Sequence, residues 1–451
     1  MFDIVVAVST CLLIFGFIYI SQEKKQVSIN LLLLLVFGTS IGATSETPII
    51  SLLYLIILLY IILINPKQSN GLLACRWLLL YLAWMVIGLS YSSSLVKGIG
   101  MILKFLTPLL FYTAVYKSLK TQKDIDYFVE KIYFMMPFCL LLGVVGAILN
   151  NYAIAQVFFS MTTIMIPFIL FNTKRKDKKY IYLIIFCIIP PLLYAKRTPL
   201  LGITLIFVSI LFVRYRTRAI IPALVLSALL ILSVFYIPFL KEKFFFDTDV
   251  TVQDLKQGLN LYGNINTNGR STFWKYVLDE IYSKNKFIGI GTGSLKHWIQ
   301  SPSNTYNHSF QLTHNDLLLM LCEGGLVGVS IFALSVLAML RKCIHYSESA
   351  NKKVRVQSYA CLGMTVATVC HMFFENCVNT FGFCMLYVYF AMFCKQVTIY
   401  KREVKQNHPI TSEASYYRIG NTRHMKNRRH AMGRLDLTTD KSDSTHIRIS
   451  L

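Results

Sequence analysis

Thirteen long apolar runs constrain the fold of this chain more than any other feature of its sequence. A membrane-spanning helix needs roughly 17–25 predominantly apolar residues. Hydrophobic residues make up 55% of the chain, whereas about 45–50% is usual in soluble proteins. The sequence therefore predicts an all-α polytopic membrane protein with a bundle of 12–13 transmembrane helices. The runs lie near residues 3–20, 28–44, 49–65, 77–92, 99–115, 132–149, 152–171, 180–194, 199–213, 219–239, 316–340, 357–374 and 377–399.

Basic residues between the runs predict which loops face the cytoplasm. Lys and Arg are enriched in cytoplasmic loops, and in this chain they cluster in alternate loops. The clustered positions are Lys24, Lys25, Lys67, Arg76, Lys117, Lys120, Lys123, Lys174, Arg175, Lys176, Lys178, Lys179, Arg214, Arg216, Arg218, Arg341, Lys342, Lys352, Lys353 and Arg355. The long polar loop after residue 240 therefore falls on the outer side.

This topology divides the chain into four predicted segments. Residues 1–240 hold the N-terminal transmembrane helices, 241–311 the external loop with amphipathic helices, and 312–400 the C-terminal transmembrane helices. Residues 401–451 form a basic tail without apolar periodicity, which we predict to be disordered in the cytoplasm.

Charge and cysteine content exclude two other kinds of site. The formal net charge is +23, but the basic residues sit in short clusters between apolar runs and in the tail, which indicates topology and not a nucleic-acid surface. The eleven cysteines are scattered singly, without a Cys-x-x-Cys pair. They are typical of small buried hydrophobic residues, and they indicate neither a disulfide framework nor a zinc site.

One amphipathic helix is predicted inside the external loop. Its apolar positions follow helical spacing, and its charged positions lie on the opposite face. Such a helix is expected to lie on the membrane or over the mouth of the bundle. The apolar positions are Phe273, Trp274, Val277, Leu278, Ile281 and Tyr282, and the charged ones are Lys275, Asp279, Glu280 and Lys284. A weaker helical pattern covers residues 252–261.

His314 is the candidate general base. Thr313 and Asp316 fit the Ser/Thr-x-x-Asp/Glu pattern of a helix start, which predicts the imidazole in the first turn. The helix dipole there disfavours a protonated ring, and a neutral, positioned histidine is suited to remove a proton. The alternative is a polar residue at a helix start with no catalytic role.

Arg270 and Arg197 are the candidate phosphate ligands. Both are predicted at the outer membrane surface, where other positive charges are scarce, and a guanidinium matches phosphate oxygens bidentately. The alternatives are an Arg197 side chain that extends to the membrane interface and an Arg270 side chain that is a solvated loop charge.

Other polar and glycine positions leave more than one interpretation open. The run FIGIGTGS at 287–294 indicates a tight turn and not a nucleotide-binding loop, because no Gly-Lys-Ser/Thr follows. Gly324 and Gly328 indicate close helix packing. Glu323 lies within a span, where it either contributes to the site or is satisfied by a hydroxyl group. His371 and Glu375 are weaker candidates of the same kind.

Three motifs in this region resemble those of the O-antigen ligase and O-antigen polymerase superfamily of bacterial envelope glycosyltransferases. They are a basic-Thr-x-Leu-Leu turn, a Gly-Arg-x-x-x-Trp helix start followed by Gly-x-Gly-x-Gly, and His-Asn-x-x-Leu with Glu-x-Gly-x-x-Gly. They occur in the order of that family between about 195 and 330. Their residues are Lys196, Arg197, Thr198, Leu200, Leu201, Gly269, Arg270, Trp274, Gly289, Gly291, Gly293, His314, Asn315, Leu318, Glu323, Gly325 and Gly328.

The resemblance implies a GT-C-like enzyme of the bacterial inner membrane with its active site facing the periplasm or exterior. It would move a glycan from undecaprenyl pyrophosphate to an acceptor sugar, with no metal or other cofactor. Arg197 and Arg270 would hold the pyrophosphate, His314 would act on the acceptor hydroxyl, and Asn315 and Glu323 would be further substrate-binding residues. Implied partners are membrane lipids, the acceptor glycan, a flippase and a chain-length regulator, with no nucleic acid.

Three functions stay open at this level. We favour a repeat-unit polymerase for O-antigen or capsule polysaccharide; a ligase that joins the glycan to lipid A-core lipopolysaccharide is the alternative within the family. A lipid-linked oligosaccharide flippase or a permease is the alternative from another class. A transporter predicts ionisable groups near the middle of the membrane, and Lys104 is the main candidate of that kind.

Overall fold

The computed structural model describes residues 48–65, 71–133, 197–215, 269–301, 313–375, 377–379 and 381–407, with isolated positions near 28–35, 166–169 and 218–241. These residues form helices and turns, and no β-strand occurs among them. Four helical segments of the described residues are long and apolar enough to cross a membrane. They are Leu72–Leu89, Leu95–Ser118, Asp316–Tyr346 and Phe383–Gln406. The prediction of an all-α polytopic membrane protein is confirmed.

The helices are labelled in chain order. They are α1 (Pro48–Leu63), α2 (Arg76–Leu89), α3 (Leu95–Ser118), α4 (Arg197–Tyr215), α5 (Arg270–Glu280), α6 (Ser294–Ile299), α7 (Asp316–Tyr346), α8 (Lys352–Phe374) and α9 (Phe381–Asn407). Short 3-10 helices lie at Leu72–Cys75, Tyr282–Lys284 and Cys377–Asn379.

Most helices coincide with predicted spans, and several extend further, α7 and α9 the most at their C-terminal ends. The runs near 316–340 and 377–399 belong to α7 and α9, which continue to Tyr346 and Asn407. The start of the predicted disordered tail is thus helical, while residues 408–451 lie outside the described residues. The predicted spans at 3–20, 28–44, 132–149, 152–171, 180–194 and 219–239, and the weak helix at 252–261, also lie wholly or largely outside them.

An aromatic core joins four of the helices. The Phe105 ring of α3 meets Tyr81 of α2 and Phe383 of α9 edge-on, with ring centroids 5.1 and 5.5 Å apart. Phe332 of α7 contacts the same three rings. Edge-to-face pairs contribute about 0.5–1.5 kcal/mol each beyond their area burial. This core fixes α7, whose first residues belong to the candidate site.

Helix α8 lies between α4 and α7 and carries polar side chains into the bundle. Each of these side chains is less than one-tenth exposed: Gln357, Ser358, Thr365, Thr368 and His371. Polar groups in membrane helices almost always face the bundle interior. Because these buried side chains are polar, α8 is less apolar than its neighbours α4 and α7.

The glycine-rich turn of the predicted external loop is joined to a break in α7. Gly325 has a φ of 64° and interrupts the helix. The carbonyl oxygens of Cys322 and Glu323 accept hydrogen bonds from the backbone of Ile290 and Gly291, at 2.9 and 3.1 Å. In return, the N–H groups of Leu326 and Val327 donate to the carbonyl oxygens of Lys286 and Phe287, at 2.9 and 3.1 Å. We call these four hydrogen bonds the backbone seam.

The other side of this turn lies on the junction between α2 and α3. The Thr292 amide donates to the Gly88 carbonyl at 3.2 Å, and the Thr292 hydroxyl donates to Met85 at 2.8 Å. The three glycines of the turn all have positive φ angles: 76° at Gly289, 95° at Gly291 and 85° at Gly293. The predicted tight turn is confirmed, and it connects three membrane helices.

Gly324 and Gly328 allow α2 to approach α7 closely. A Cβ atom at either position would contact the Trp84 indole, at 3.5 and 3.2 Å. The same indole donates a hydrogen bond of 2.9 Å to the carbonyl oxygen of Gly324. The prediction that this glycine pair serves helix packing is confirmed.

Candidate active site

The candidate active site lies where α5 begins, α7 begins and α8 ends. Arg270 is the first residue of α5, and its Nη1 donates a hydrogen bond of 2.9 Å to the carbonyl oxygen of Phe374. The same nitrogen lies 3.7 Å from Oε1 of Glu375. A guanidinium at a helix C-terminus satisfies a carbonyl group and interacts favourably with the helix dipole. Arg270 therefore ties the start of α5 to the end of α8.

His314 approaches the other oxygen of the same carboxylate. Its Nδ1 lies 3.7 Å from Oε2 of Glu375. The side chains of Arg270 and His314 are 27% and 30% exposed, whereas that of Glu375 is 12% exposed. The structure thus brings together two predicted site residues, each within reach of solvent, around a mostly covered acidic group.

The local structure at His314 differs from the prediction. The side-chain oxygen of Asn315, and not Thr313, caps α7 by accepting a hydrogen bond of 2.9 Å from Leu318. His314 precedes this cap with a φ of 49°, so it lies outside the first helical turn. The predicted capping box was wrong because Asn is at least as good an N-cap as Thr, and the Thr313 hydroxyl donates to the Asn315 carbonyl instead.

The Trp274 side chain fixes the segment that precedes α7 against α5. Its indole N–H donates a hydrogen bond of 2.7 Å to the Thr313 carbonyl oxygen. Its ring also meets Phe373 of α8 edge-on, with centroids 6.5 Å apart. Arg270 and Trp274 are one helical turn apart and therefore share a face of α5. Together they fix both segments that carry His314 and Glu375.

Asp316 fixes the segment that follows Glu375. Its carboxylate is fully buried, and Oδ2 accepts a hydrogen bond of 2.8 Å from the Val378 amide. Oδ1 has no hydrogen-bond partner among the described residues. Lys104 of α3 is close enough to interact electrostatically with Asp316 and with Glu323. The potential transporter residue Lys104 thus interacts with two buried acidic groups of α7.

Two further predicted site residues have structural contacts. Asn315 is buried, and its side-chain oxygen is the cap of α7. Glu323 is buried beside the backbone N–H groups of Gly293, Leu295 and Lys296 at the start of α6. It lies seven residues after Asp316, about 10 Å along the helix, and its described partners differ from those of His314. Substrate binding by either residue stays a prediction.

The helix register places the backbone of Arg197 at the same end of the bundle. Arg214, near the end of α4, lies close to Tyr359 in the first half of α8, so the two helices are antiparallel. Ile206 meets Gly363 where they cross. At 1.5 Å per residue, Arg197 lies about 14 Å from this crossing and Phe374 about 16 Å, in the same direction. The structure does not describe the Arg197 side chain.

From the sequence alone, Glu375 was one of the weaker site candidates. The signal available was an acidic residue near the outer end of a span. Its importance depends on contacts with residues far along the chain, since Arg270 and Phe374 are 104 positions apart. Among the described residues, no group of three or more His, Cys, Asp or Glu side chains is arranged to hold a metal ion.

One family comparison covers part of this site. Residues 183–333 match the family model described as O-antigen ligase, which confirms the resemblance found in the sequence. The matched segment includes all five predicted site residues and ends before Glu375. No match to a curated protein was found.

Proposed function

From the O-antigen ligase family domain at residues 183–333, we propose that this protein is a membrane glycosyltransferase that uses undecaprenyl-pyrophosphate-linked glycans. It transfers the glycan to the hydroxyl group of an acceptor sugar. The family supports a membrane glycosyltransferase of the O-antigen ligase or polymerase type; the donor and the reaction at named atoms are our proposal.

The observation that carries this proposal is the cluster in which Arg270 and His314 each lie 3.7 Å from one oxygen of the Glu375 carboxylate. A leaving pyrophosphate develops negative charge, which a guanidinium stabilises through charge-assisted hydrogen bonds. An attacking hydroxyl group needs a base, and imidazole suits this task near neutral pH. The proposal is supported by the presence of both side chains at the end of the bundle where α5 contacts α8.

The reaction is a substitution at the anomeric carbon of the lipid-linked sugar. The acceptor oxygen forms the new glycosidic bond while the bond from that carbon to the pyrophosphate oxygen breaks. The acceptor proton moves to His314, and undecaprenyl pyrophosphate leaves with the bonding electron pair. Arg270, together with Arg197 if its side chain reaches the same end of the bundle, neutralises the leaving group. No oxidant, nucleotide or metal takes part in this scheme.

Two acceptors are consistent with this chemistry. We propose that the acceptor is another lipid-linked repeat unit, so that the enzyme polymerises O-antigen or capsule units in the bacterial inner membrane with its site on the periplasmic side. The second candidate is lipid A-core, which makes the protein a ligase; the description of the matched family model favours it. A flippase and a chain-length regulator are the partners that a polymerase would need.

Purified protein in lipid vesicles tests the proposal. The vesicles contain undecaprenyl-pyrophosphate-linked oligosaccharide and, in separate samples, a second lipid-linked repeat unit or lipid A-core. We expect a new glycosidic bond with one of them, detected by mass spectrometry of the extracted glycolipids. Movement of the glycolipid across the vesicle membrane without any new bond would support the flippase and reject the enzyme.

A further inference from the structure

Glu375 is shared between the two residues to which the proposed function gives chemical tasks. Oε1 faces the guanidinium of Arg270 and Oε2 faces the imidazole of His314, each at 3.7 Å. These distances exceed those of ordinary hydrogen bonds, so both contacts can shorten when a neighbour moves. Glu375 also lies outside the segment that matches the O-antigen ligase family model.

The backbone around Glu375 holds the carboxylate in place. The Glu375 amide donates a hydrogen bond of 2.8 Å to the His371 carbonyl, which ends α8. Just before Glu375, the Arg270 side chain donates a hydrogen bond to the carbonyl oxygen of Phe374. Just after it, the Val378 amide donates a hydrogen bond to the Asp316 carboxylate. Because both flanking segments are fixed, the carboxylate cannot follow the Arg270 side chain far from this position.

A carboxylate and a phosphate oxygen are competing ligands for one guanidinium. Both accept charge-assisted hydrogen bonds from arginine in the same planar geometry. A pyrophosphate that binds Arg270 therefore competes with Oε1 of Glu375. The Glu375 side chain is only 12% exposed, and a covered anion without a cationic partner is costly. The His314 imidazole, whose Nδ1 lies 3.7 Å from Oε2, can take up this charge at the solvent-facing side, whereas the imidazole of His371, which also interacts with Glu375, is buried.

We propose that Glu375 is a positioning residue for the proposed transfer reaction: pyrophosphate displaces its carboxylate from Arg270, and the carboxylate then orients His314. A hydrogen bond from Nδ1–H to Glu375 fixes the tautomer in which Nε2 accepts a proton. The acceptor hydroxyl gives its proton to Nε2, and the carboxylate stabilises the resulting imidazolium. The proton then passes to solvent, which reaches the partly exposed ring. This inference rests on the proposed function.

The proposal predicts opposite effects on binding and on rate. In Glu375→Gln, Arg270 loses its internal competitor, so pyrophosphate should bind more tightly. His314 loses its anionic partner, so the chemical step should slow. We expect the KM for the lipid-linked glycan, and the inhibition constant of farnesyl pyrophosphate as a soluble probe, to fall about two- to fivefold, as for a partly exposed ion pair. We expect kcat to fall about 10- to 100-fold, as when other carboxylates that orient a histidine are removed.

Glu280→Gln is the matched control. It removes the same charge from the other end of α5, where Glu280 is half-exposed and pairs with Lys284 at 3.1 Å. We expect this variant to match the wild-type KM, inhibition constant and kcat. Glu375→Asp retracts the carboxylate by one methylene group and should change both quantities in the same directions as Gln, to a smaller extent. It serves as the test if Glu375→Gln does not accumulate in the membrane.

The outcomes separate this inference from the proposed function. If the wild-type protein forms no glycosidic bond with either acceptor, both the proposed function and this inference are rejected. If the wild-type protein is active and Glu375→Gln behaves like Glu280→Gln, only the role of Glu375 is rejected. A rise in the KM and in the inhibition constant together with a fall in kcat would also reject it, because that pattern indicates a purely structural role.

Discussion

Arg270 illustrates how a single residue can lie at two helix ends with opposite electrostatic consequences. As the first residue of α5 it is disfavoured by the positive end of that helix, and as a donor to Phe374 it is favoured by the negative end of α8. Each effect amounts to about 0.3–1 kcal/mol, so the two nearly offset each other. The helix dipoles therefore add little net stability at Arg270, and its structural contribution is the hydrogen bond to Phe374.

From this balance we predict that Arg270→Ala and His314→Ala abolish glycan transfer and leave the amount of protein in the membrane unchanged. Loss of a general base lowers a rate by about 10²–10⁴-fold, and loss of a group that stabilises the leaving charge by about 10²–10³-fold. Polysaccharide length on gels and immunoblots of membrane fractions measure the two properties.

Lys275→Ala is the control for these variants. Lys275 is an exposed cation on the same helix as Arg270, and we expect its variant to produce polysaccharide of normal length. If Arg270→Ala and His314→Ala both produced full-length polysaccharide as well, the site would have to lie elsewhere.

At the scale of helices, periodicity predicted what depends on local patterns. The amphipathic helix in the external loop is present as α5, with Phe273 and Val277 completely buried and Lys275, Asp279 and Glu280 exposed. Apolar runs likewise predicted the spans. The break in α7 at Gly325 was missed because a glycine inside an apolar run is equally consistent with a continuous helix. Its φ of 64° is explained only by hydrogen bonds to residues more than thirty positions earlier in the chain.

The break in α7 leads to a prediction about two glycines. A Cβ atom at Gly325 would lie 2.2 Å from the carbonyl oxygen of Phe287, and the positive φ adds strain. Gly325→Ala should therefore lower the free energy of unfolding by at least the roughly 1–3 kcal/mol of the backbone strain. It should also lower the thermal unfolding temperature in detergent. Gly100→Ala in α3 has open space around the new Cβ and should be neutral or stabilising by up to about 1 kcal/mol. Equal unfolding temperatures for the two variants would contradict the described break.

The register of α4 against α8 leads to a second prediction at this scale. Arg197→Ala, at the end of α4 that lies level with Glu375, should reduce glycan transfer at least 10²-fold if Arg197 also stabilises the leaving pyrophosphate. Arg214→Ala, near the other end of the same helix, should leave transfer unchanged, because the Arg214 side chain is exposed and lies over Tyr215. Activity in the in vitro transfer assay compares them. A larger loss in Arg214→Ala than in Arg197→Ala would invert the orientation of the helix relative to the site.

For the molecule as a whole, the site could be predicted only in part from the sequence. The order of motifs identified Arg270 and His314, but it could not reveal that one acidic residue joins them, because Glu375 lies in a third segment of the chain. It also could not show that Asn315 caps a helix or that Glu323 faces the start of α6. Such assignments depend on how distant helices pack, and periodicity contains no information about that.

The predicted topology can be tested by thiol labelling of intact cells. A membrane-impermeant maleimide should label Asn260→Cys, in the predicted external loop, before lysis. Ala350→Cys, in the exposed turn between α7 and α8, should be labelled only after lysis, since that loop is predicted to face the cytoplasm. Background should be low because the described native cysteines are buried or only partly exposed. The reverse labelling pattern would place the candidate site inside the cell.

The backbone seam between the external loop and α7 consists entirely of main-chain atoms. Relatives of this chain can therefore exchange side chains such as Phe287 or Ile288 and retain the backbone seam. Inserting or deleting a single residue between Lys286 and Gly291 would instead shift the register and put donors opposite donors. Over evolutionary time, Gly289, Gly291 and the length of this short stretch should stay constant, while its other positions vary in sequence.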